Sequence, residues 1–253
     1  NNDGHQDIFF CGNQVENKLY KNLGDFKFED VSSSANINTN KNWSNGVSVV
    51  DINNDGWQDI YISQGGPYQR EKRSNLLYIN QKNGTFLEQA KEFGLADQGI
   101  STQTVFFDFD NDNDLDCFVL NENEFYGVDP INLYKLVSES EEAKHFNSCH
   151  FYENDNGKFK DITKVAGLER PLFGLGITVT DINNDNLLDF YVASDYYIPD
   201  ALFINNGNGT FSDQIKSYTQ QISYYGMGMD IADVNNDGLQ DIFVLDMAAN
   251  DHV

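Results

Sequence analysis

The sequence predicts an all-β fold, a stretch of β-propeller assembled from four-stranded antiparallel blades. Three observations lead there. A nine-residue acidic segment recurs along the 253 residues, short β-type runs flank every copy, and Asn, Gly and Asp punctuate the runs. With 4 prolines against 20 glycines, the turns must come from residues that tolerate positive φ.

The acidic segment comes first. Four copies align: Asp51-Ile-Asn53-Asn-Asp55-Gly56-Trp57-Gln-Asp59, Asp108-Phe-Asp110-Asn-Asp112-Asn113-Asp114-Leu-Asp116, Asp181-Ile-Asn183-Asn-Asp185-Asn186-Leu187-Leu-Asp189 and Asp233-Val-Asn235-Asn-Asp237-Gly238-Leu239-Gln-Asp241. They begin 57, 73 and 52 residues apart. A fifth, Asn1-Asn-Asp3-Gly4-His5-Gln-Asp7, enters the motif two residues late.

Each copy sits in the same frame. A β-type run precedes it (46–51, 174–181) and an alternating strand follows it (59–63, 116–120, 189–193, 241–245). A third run ends in Asn (18–22, 75–80, 149–154, 201–205), and a fourth carries Phe or Leu among polar residues (25–29, 84–88, 157–161, 209–213). Four short strands per repeat is a propeller blade. The expected divisions are a partial blade at 1–31, blades at 45–90, 102–163 and 174–215, and a partial blade at 225–247. Propellers close on themselves, so this reads as a fragment of a larger, about seven-bladed one.

The acidic loops point to calcium. That ion takes six to eight oxygen ligands, and alternate positions of a coiled loop supply them. Asp51, Asn53 and Asp55 offer side-chain oxygens at positions one, three and five, Trp57 a backbone carbonyl at seven, and Asp59 a carboxylate at nine. The same roles fall to Asp108, Asp110, Asp112, Asp114 and Asp116; to Asp181, Asn183, Asp185, Leu187 and Asp189; and to Asp233, Asn235, Asp237, Leu239 and Asp241. In the first copy they fall to Asp3, His5 (by its carbonyl) and Asp7. Position six is Gly56, Gly238, Asn113 or Asn186, as a positive-φ turn demands. One Asp-Gly could merely turn a hairpin, but that leaves oxygen side chains at positions one, three, five and nine in four complete copies unexplained. Without a cation, grouped carboxylates repel. Four to five structural calcium ions are expected. An EF-hand, with its twelve-residue loop between helices, and the nonapeptide β-helix repeat do not fit.

Composition narrows the function. Forty acidic against 16 basic side chains give a net charge of −24, the reverse of a nucleic-acid binder's basic footprint. No apolar run nears 20 residues, so no membrane insertion is expected in this segment. Aromatic residues are 13% of the chain, enough to fold a core despite the acidity. Cys11, Cys117 and Cys149 lack paired spacing and read as buried or half-buried thiols. The histidines His5, His145, His150 and His252 read as surface residues. The stretch 121–148, with Glu122, Glu124, Glu139, Glu141 and Glu142, has no counterpart in other repeats. It reads as a solvated acidic excursion with one helical turn at 138–145.

The loop motif, the strands after it and the run Leu202-Phe-Ile-Asn-Asn-Gly-Asn-Gly-Thr-Phe211 resemble FG-GAP and VCBS repeats, the blades of integrin-α-like propellers. Gly226-Met-Gly-Met-Asp-Ile-Ala-Asp233 and Asp195-Tyr-Tyr-Ile-Pro-Asp200 are similar to a branch of VCBS-repeat proteins akin to cartilage acidic protein, common as secreted or surface lipoproteins in Bacteroidota. The resemblance implies a calcium-stabilised binding or scaffold module, secreted or at the cell surface, on an outer-membrane lipoprotein if bacterial, that engages protein in adhesion. The alternative is glycan capture by exposed aromatics such as Tyr68, Tyr126, Tyr196 and Tyr197, or a part in a calcium-dependent polysaccharide lyase. No hydrolase elbow, zinc motif or phosphate loop is present, and no enzyme activity is expected. The sequons at Asn42, Asn83 and Asn208 are expected by chance in an Asn-rich chain.

Overall fold

A computed structural model describes residues 1–37 and 41–247. Five antiparallel sheets follow one another along them, and strand order within each equals sequence order. The first holds β1 (Ile8–Phe10), β2 (Lys18–Asn22) and β3 (Phe28–Asp30). The second holds β4 (Trp43–Val50), β5 (Asp59–Gly65), β6 (Leu76–Asn80) and β7 (Phe86–Glu88). The third holds β8 (Ile100–Phe107), β9 (Asp116–Glu122), β10 (His150–Asp155) and β11 (Lys158–Asp161). The fourth holds β12 (Gly174–Thr180), β13 (Asp189–Ser194), β14 (Ala201–Asn205) and β15 (Phe211–Asp213), and the fifth β16 (Gly226–Ala232) and β17 (Asp241–Asp246). The all-β architecture with four-stranded antiparallel sheets is the one the repeat predicts.

The second to fifth acidic loops span the hairpin between the first two strands of their sheets, and the first loop leads into β1. Opposite that hairpin the ladder slips by one residue, at Ser44/Gly46, Ser101/Gln103, Gly174/Gly176 and Gly226/Gly228. A bulge there increases local twist, and it brings neighbouring first strands close. A Cβ on Gly46 would lie 2.4 Å from the Thr102 carbonyl oxygen of the next sheet. Side chains bridge the same seam: Asn45 Nδ2 donates to Ser101 O and Thr102 Oγ1 to Gly174 O, both at 2.8 Å.

In the second, third and fourth sheets the second strand is buried on both faces; β5 and β13 are buried throughout. Apolar rows from adjacent sheets meet there. Between the third and fourth sheets Phe107, Phe109, Phe118, Phe151, Phe190, Phe203 and Phe211 form one aromatic core, with edge-on pairs such as Phe109–Phe151 at 4.9 Å between centroids. The fourth strand also ties to the preceding sheet's connecting turn, through Phe86 N to Ala35 O and Phe211 N to Ala166 O, both 2.9 Å.

Two expectations need correction. The 121–148 stretch is no solvated excursion with one turn; it carries α1 (Pro130–Val137) and α2 (Glu141–Phe146). Asp129 and Ser140 cap them through Asn132 N and Ala143 N, and Pro130 opens the first, where its missing N–H costs nothing. Leu133 and Val137 are buried in the aromatic core, while Arg70 and Arg73 both pair with Glu124 and Arg70 also reaches Glu142. Burial of the apolar stripe wins over the acidity of the segment. His150 is also no surface residue: it is 1% exposed and paired with Asp97. Of the others, His5 is exposed, His145 half-buried, and His252 lies outside the described residues. Cys11 is half-buried and Cys117 and Cys149 are buried, all as free thiols.

Candidate metal centres in the acidic loops

Every complete loop is wound by the same backbone-to-carboxylate bonds. In the second sheet Asp51 Oδ1 and Oδ2 accept from Asp55 N (2.9 Å) and Gly56 N (2.7 Å), Asn53 Oδ1 from Asp55 N (3.2 Å) and Asp55 Oδ1 from Trp57 N (3.0 Å). The third loop repeats this with Asp108, Asp110 and Asp112, the fourth with Asp181, Asn183 and Asp185, and the fifth with Asp233, Asn235 and Asp237. The first keeps its last turn: Asp3 Oδ1 accepts from His5 N at 3.0 Å. The winding leaves unused lone pairs on each of these oxygens.

Position nine is different. Asp59, Asp116 and Asp189 are at most 2% exposed, and each joins two strands. Asp59 accepts from Ile52 N (3.2 Å) and Asn80 N (2.7 Å), Asp116 from Phe109 N (3.2 Å) and Asn154 N (2.9 Å), and Asp189 from Ile182 N (2.9 Å) and Asn205 N (2.8 Å). Asp7 takes the same bond from Asn22 N (2.9 Å), and Asp241 from Val234 N (3.1 Å).

The electrostatics show strain between these carboxylates. Burial pushes the Asp116 carboxyl up to about 7 and Asp59 to about 6, with backbone donors opposing and neighbouring loop carboxylates adding to the rise. Asp114 is pushed up to about 6 and Asp110 also rises, again by burial and then by adjacent aspartates. Carboxylate oxygens of Asp108, Asp110 and Asp116 lie within 4.8 Å of one another. An all-oxygen donor set under mutual repulsion fits a hard divalent cation.

Two roles escaped the sequence reading. Position four, Asn in all five loops, also takes positive φ: Asn2 59°, Asn54 55°, Asn111 63°, Asn184 61° and Asn236 60°. The Asn that ends each third strand is a keystone. Its backbone N–H holds position nine, and its side-chain amide donates to the carbonyl of position eight (Asn22 to Gln6, Asn80 to Gln58, Asn154 to Leu115). Its Oδ1 accepts from the next turn's N–H at Gly24, Lys82, Gly157 or Gly207. Recurrence at fixed register was the available signal for both. Among the aromatics expected to be exposed, only Tyr126 is; Tyr68, Tyr196 and Tyr197 are half-buried.

The FG-GAP-like repeat pattern matches residues 1–62 and 181–244, the segments that hold the first, second, fourth and fifth loops. The chain belongs to the FG-GAP-like repeat family. This FG-GAP chain is 25% identical over 208 residues to human (Homo sapiens) cartilage acidic protein 1, covering 82% of itself and 29% of that protein. The Xenopus tropicalis cartilage acidic protein 1 is 27% identical over 195 residues, 76% of this chain and 27% of its own length. Integrin alpha-3 of Mus musculus is 26% identical over 129 residues, 46% of this chain and 12% of its own. The chain therefore spans less than a third of the curated relatives it matches.

Proposed function

We propose that this chain is a calcium-stabilised binding module that works outside the cell, as part of a secreted or surface protein, and engages a protein partner. The recurrence of one wound acidic loop at every sheet carries this reading. Asp51, Asn53, Asp55, the Trp57 carbonyl and Asp59 would hold one ion, and the matching residues of the other loops the rest. Bound calcium would neutralise carboxylates that burial and proximity now oppose, pinning the first hairpin of each blade. Magnesium is disfavoured because it sheds its waters reluctantly. Extracellular modules bind calcium at about 10⁻⁴–10⁻³ M, a concentration met outside cells. Likeness to integrin alpha-3 and cartilage acidic protein 1 supports a protein-binding role.

A glycan-binding reading has one observation of its own. Opposite the acidic loops, Tyr126 and Tyr196 meet edge-on at 5.0 Å and Tyr224 and Tyr225 at 4.8 Å, beside Glu122 and Asp195. Rings next to carboxylates can take a sugar's C–H face and its hydroxyls. Equilibrium dialysis against calcium with magnesium competing tests the metal reading: four to five calcium-selective ions are expected, and fewer than two would refute it. A glycan array probed with Tyr126→Ala as control decides the second reading, which falls if nothing binds.

A further inference from the structure

The five loops share one winding but not one set of surroundings. Resting on the reading that they hold calcium, we propose that the third loop is the high-affinity site, with the Asp114 side chain as an additional ligand, and that Lys82 makes the second the weakest of the complete loops.

The third loop holds five carboxylates, Asp108, Asp110, Asp112, Asp114 and Asp116. The second, fourth and fifth hold three each, and the first holds Asp3 and Asp7. The number of charged ligands is what tunes affinity in calcium loops. At position seven the other loops present His5, Trp57, Leu187 and Leu239, from which only a carbonyl can serve. Asp114 keeps the shared backbone bond, its N–H donating to Asp112 Oδ1 at 2.9 Å. Its own Oδ1 is buried and has no hydrogen-bond partner. A buried acceptor left unpaired is costly, and this one lies in the loop where carboxylate oxygens of Asp108, Asp110 and Asp116 come within 4.8 Å of one another. A cation there satisfies it. Among the described residues, no lysine, arginine or histidine forms an ion pair with any of the five carboxylates.

The second loop has a built-in competitor. Lys82 Nζ lies 3.3 Å from Asp55 Oδ2, the position-five carboxylate. Lys82 stands two residues after the keystone Asn80, and its N–H donates to Asn80 Oδ1 at 2.9 Å. The same place in the first, third and fourth sheets is Gly24, Asn156 and Gly207, none basic. A divalent ion entering the second loop must displace that ammonium. Lys82 is half exposed, so the penalty is a few-fold in affinity rather than a block.

Terbium(III), an oxygen-seeking substitute for calcium, separates the sites because Trp57 occupies position seven of the second loop. Trp43, the other tryptophan, starts β4, roughly 25 Å along the strand from that loop. Metal-free chain is titrated with terbium while calorimetry counts bound ions and tryptophan-excited terbium emission reports the second loop and the first, which lines the same cleft as Trp57. The first equivalent is expected to bind silently, with emission following only in later equivalents, and Trp57→Phe should abolish it. Lys82→Met should bring emission earlier. Asp114→Asn should weaken the tightest step roughly tenfold and let emission begin sooner, with an unchanged metal-free melt showing that the fold is intact. Emission from the first equivalent in the unmodified chain, or an Asp114→Asn variant with an unaltered tightest step, overturns the ranking. No terbium uptake would instead overturn the calcium reading itself.

Discussion

Replacing Asp189 by Ala separates the structural work of position nine from the metal work proposed for the loop. Asp189 is fully buried, and its two oxygens accept from Ile182 N at 2.9 Å and Asn205 N at 2.8 Å. Hydrogen bonds to a charged group contribute about 1.5–3 kcal/mol each, and their loss leaves two backbone donors without a partner. Burial raises the Asp189 carboxyl, which means that part of this gain already offsets the cost of a desolvated charge. A net loss of about 3 kcal/mol without calcium follows, or roughly 1 M in the urea midpoint. Asp185, on the exposed rim of the same loop, accepts one backbone bond, from Leu187 N at 2.9 Å, and one exposed side-chain bond, from Asn183 Nδ2 at 2.9 Å. Asp185→Ala should cost less than about 0.5 kcal/mol in EGTA yet abolish the calcium-dependent gain of that site. Urea unfolding of both variants, with EGTA and with saturating calcium, is the assay. Equal losses for the two in EGTA would refute the division of labour between rim and base.

Three further outcomes follow from the same structure. His150 donates to Asp97 and, through Nε2, to His145 O at 2.9 Å; burial disfavours its charge, but Asp97 outweighs burial and lifts it to about 9. Because the folded value is raised, its stabilisation is fully present below the unfolded value near 6.5 and is lost as pH rises through about 9. His150→Gln should flatten the alkaline fall in melting temperature while lowering stability by about 3–5 kcal/mol at neutral pH, and an unchanged alkaline slope would contradict the pairing. Leu133→Ala empties a fully buried site on α1, costing about 2–5 kcal/mol; proteolysis should then cut first within 125–148, and cleavage elsewhere would show that the helices are not docked as described. Asn54→Ala places a β-carbon residue at a φ of 55° and should cost about 1 kcal/mol, an effect that thermal unfolding in EGTA would miss only if the turn relaxes.

Much of this was legible because the acidic loop imposes its winding on fixed positions. Oxygen side chains at one, three, five and nine, and Gly or Asn at six, are local demands, so Asp51 to Asp59 could be read residue by residue. Strand alternation in segments such as 189–193 was equally local. What escaped depended on distant partners. His150 becomes buried because Asp97, 53 residues earlier, supplies the countercharge, and no spacing rule announces that. The helices at 130–146 were hidden by the acidity of the stretch that carries them, although Asp129-Pro130 is a helix-start signal that outranks composition. The keystone asparagines were visible as a recurrence, but their role needed the register that sets Asn80 beside Asp59.

The central claim is that calcium in the acidic loops holds the blades. A thermal melt in EGTA and in millimolar calcium, with bound metal counted on the same sample, tests it most directly. Each site at a hundredfold excess of ion over its Kd adds about 2.7 kcal/mol, so four to five bound ions should raise the melting temperature by more than about 10 °C, and magnesium should not reproduce the rise. An unchanged melting temperature with less than one ion bound would contradict the account, leaving the loops as turns closed by their own backbone donors.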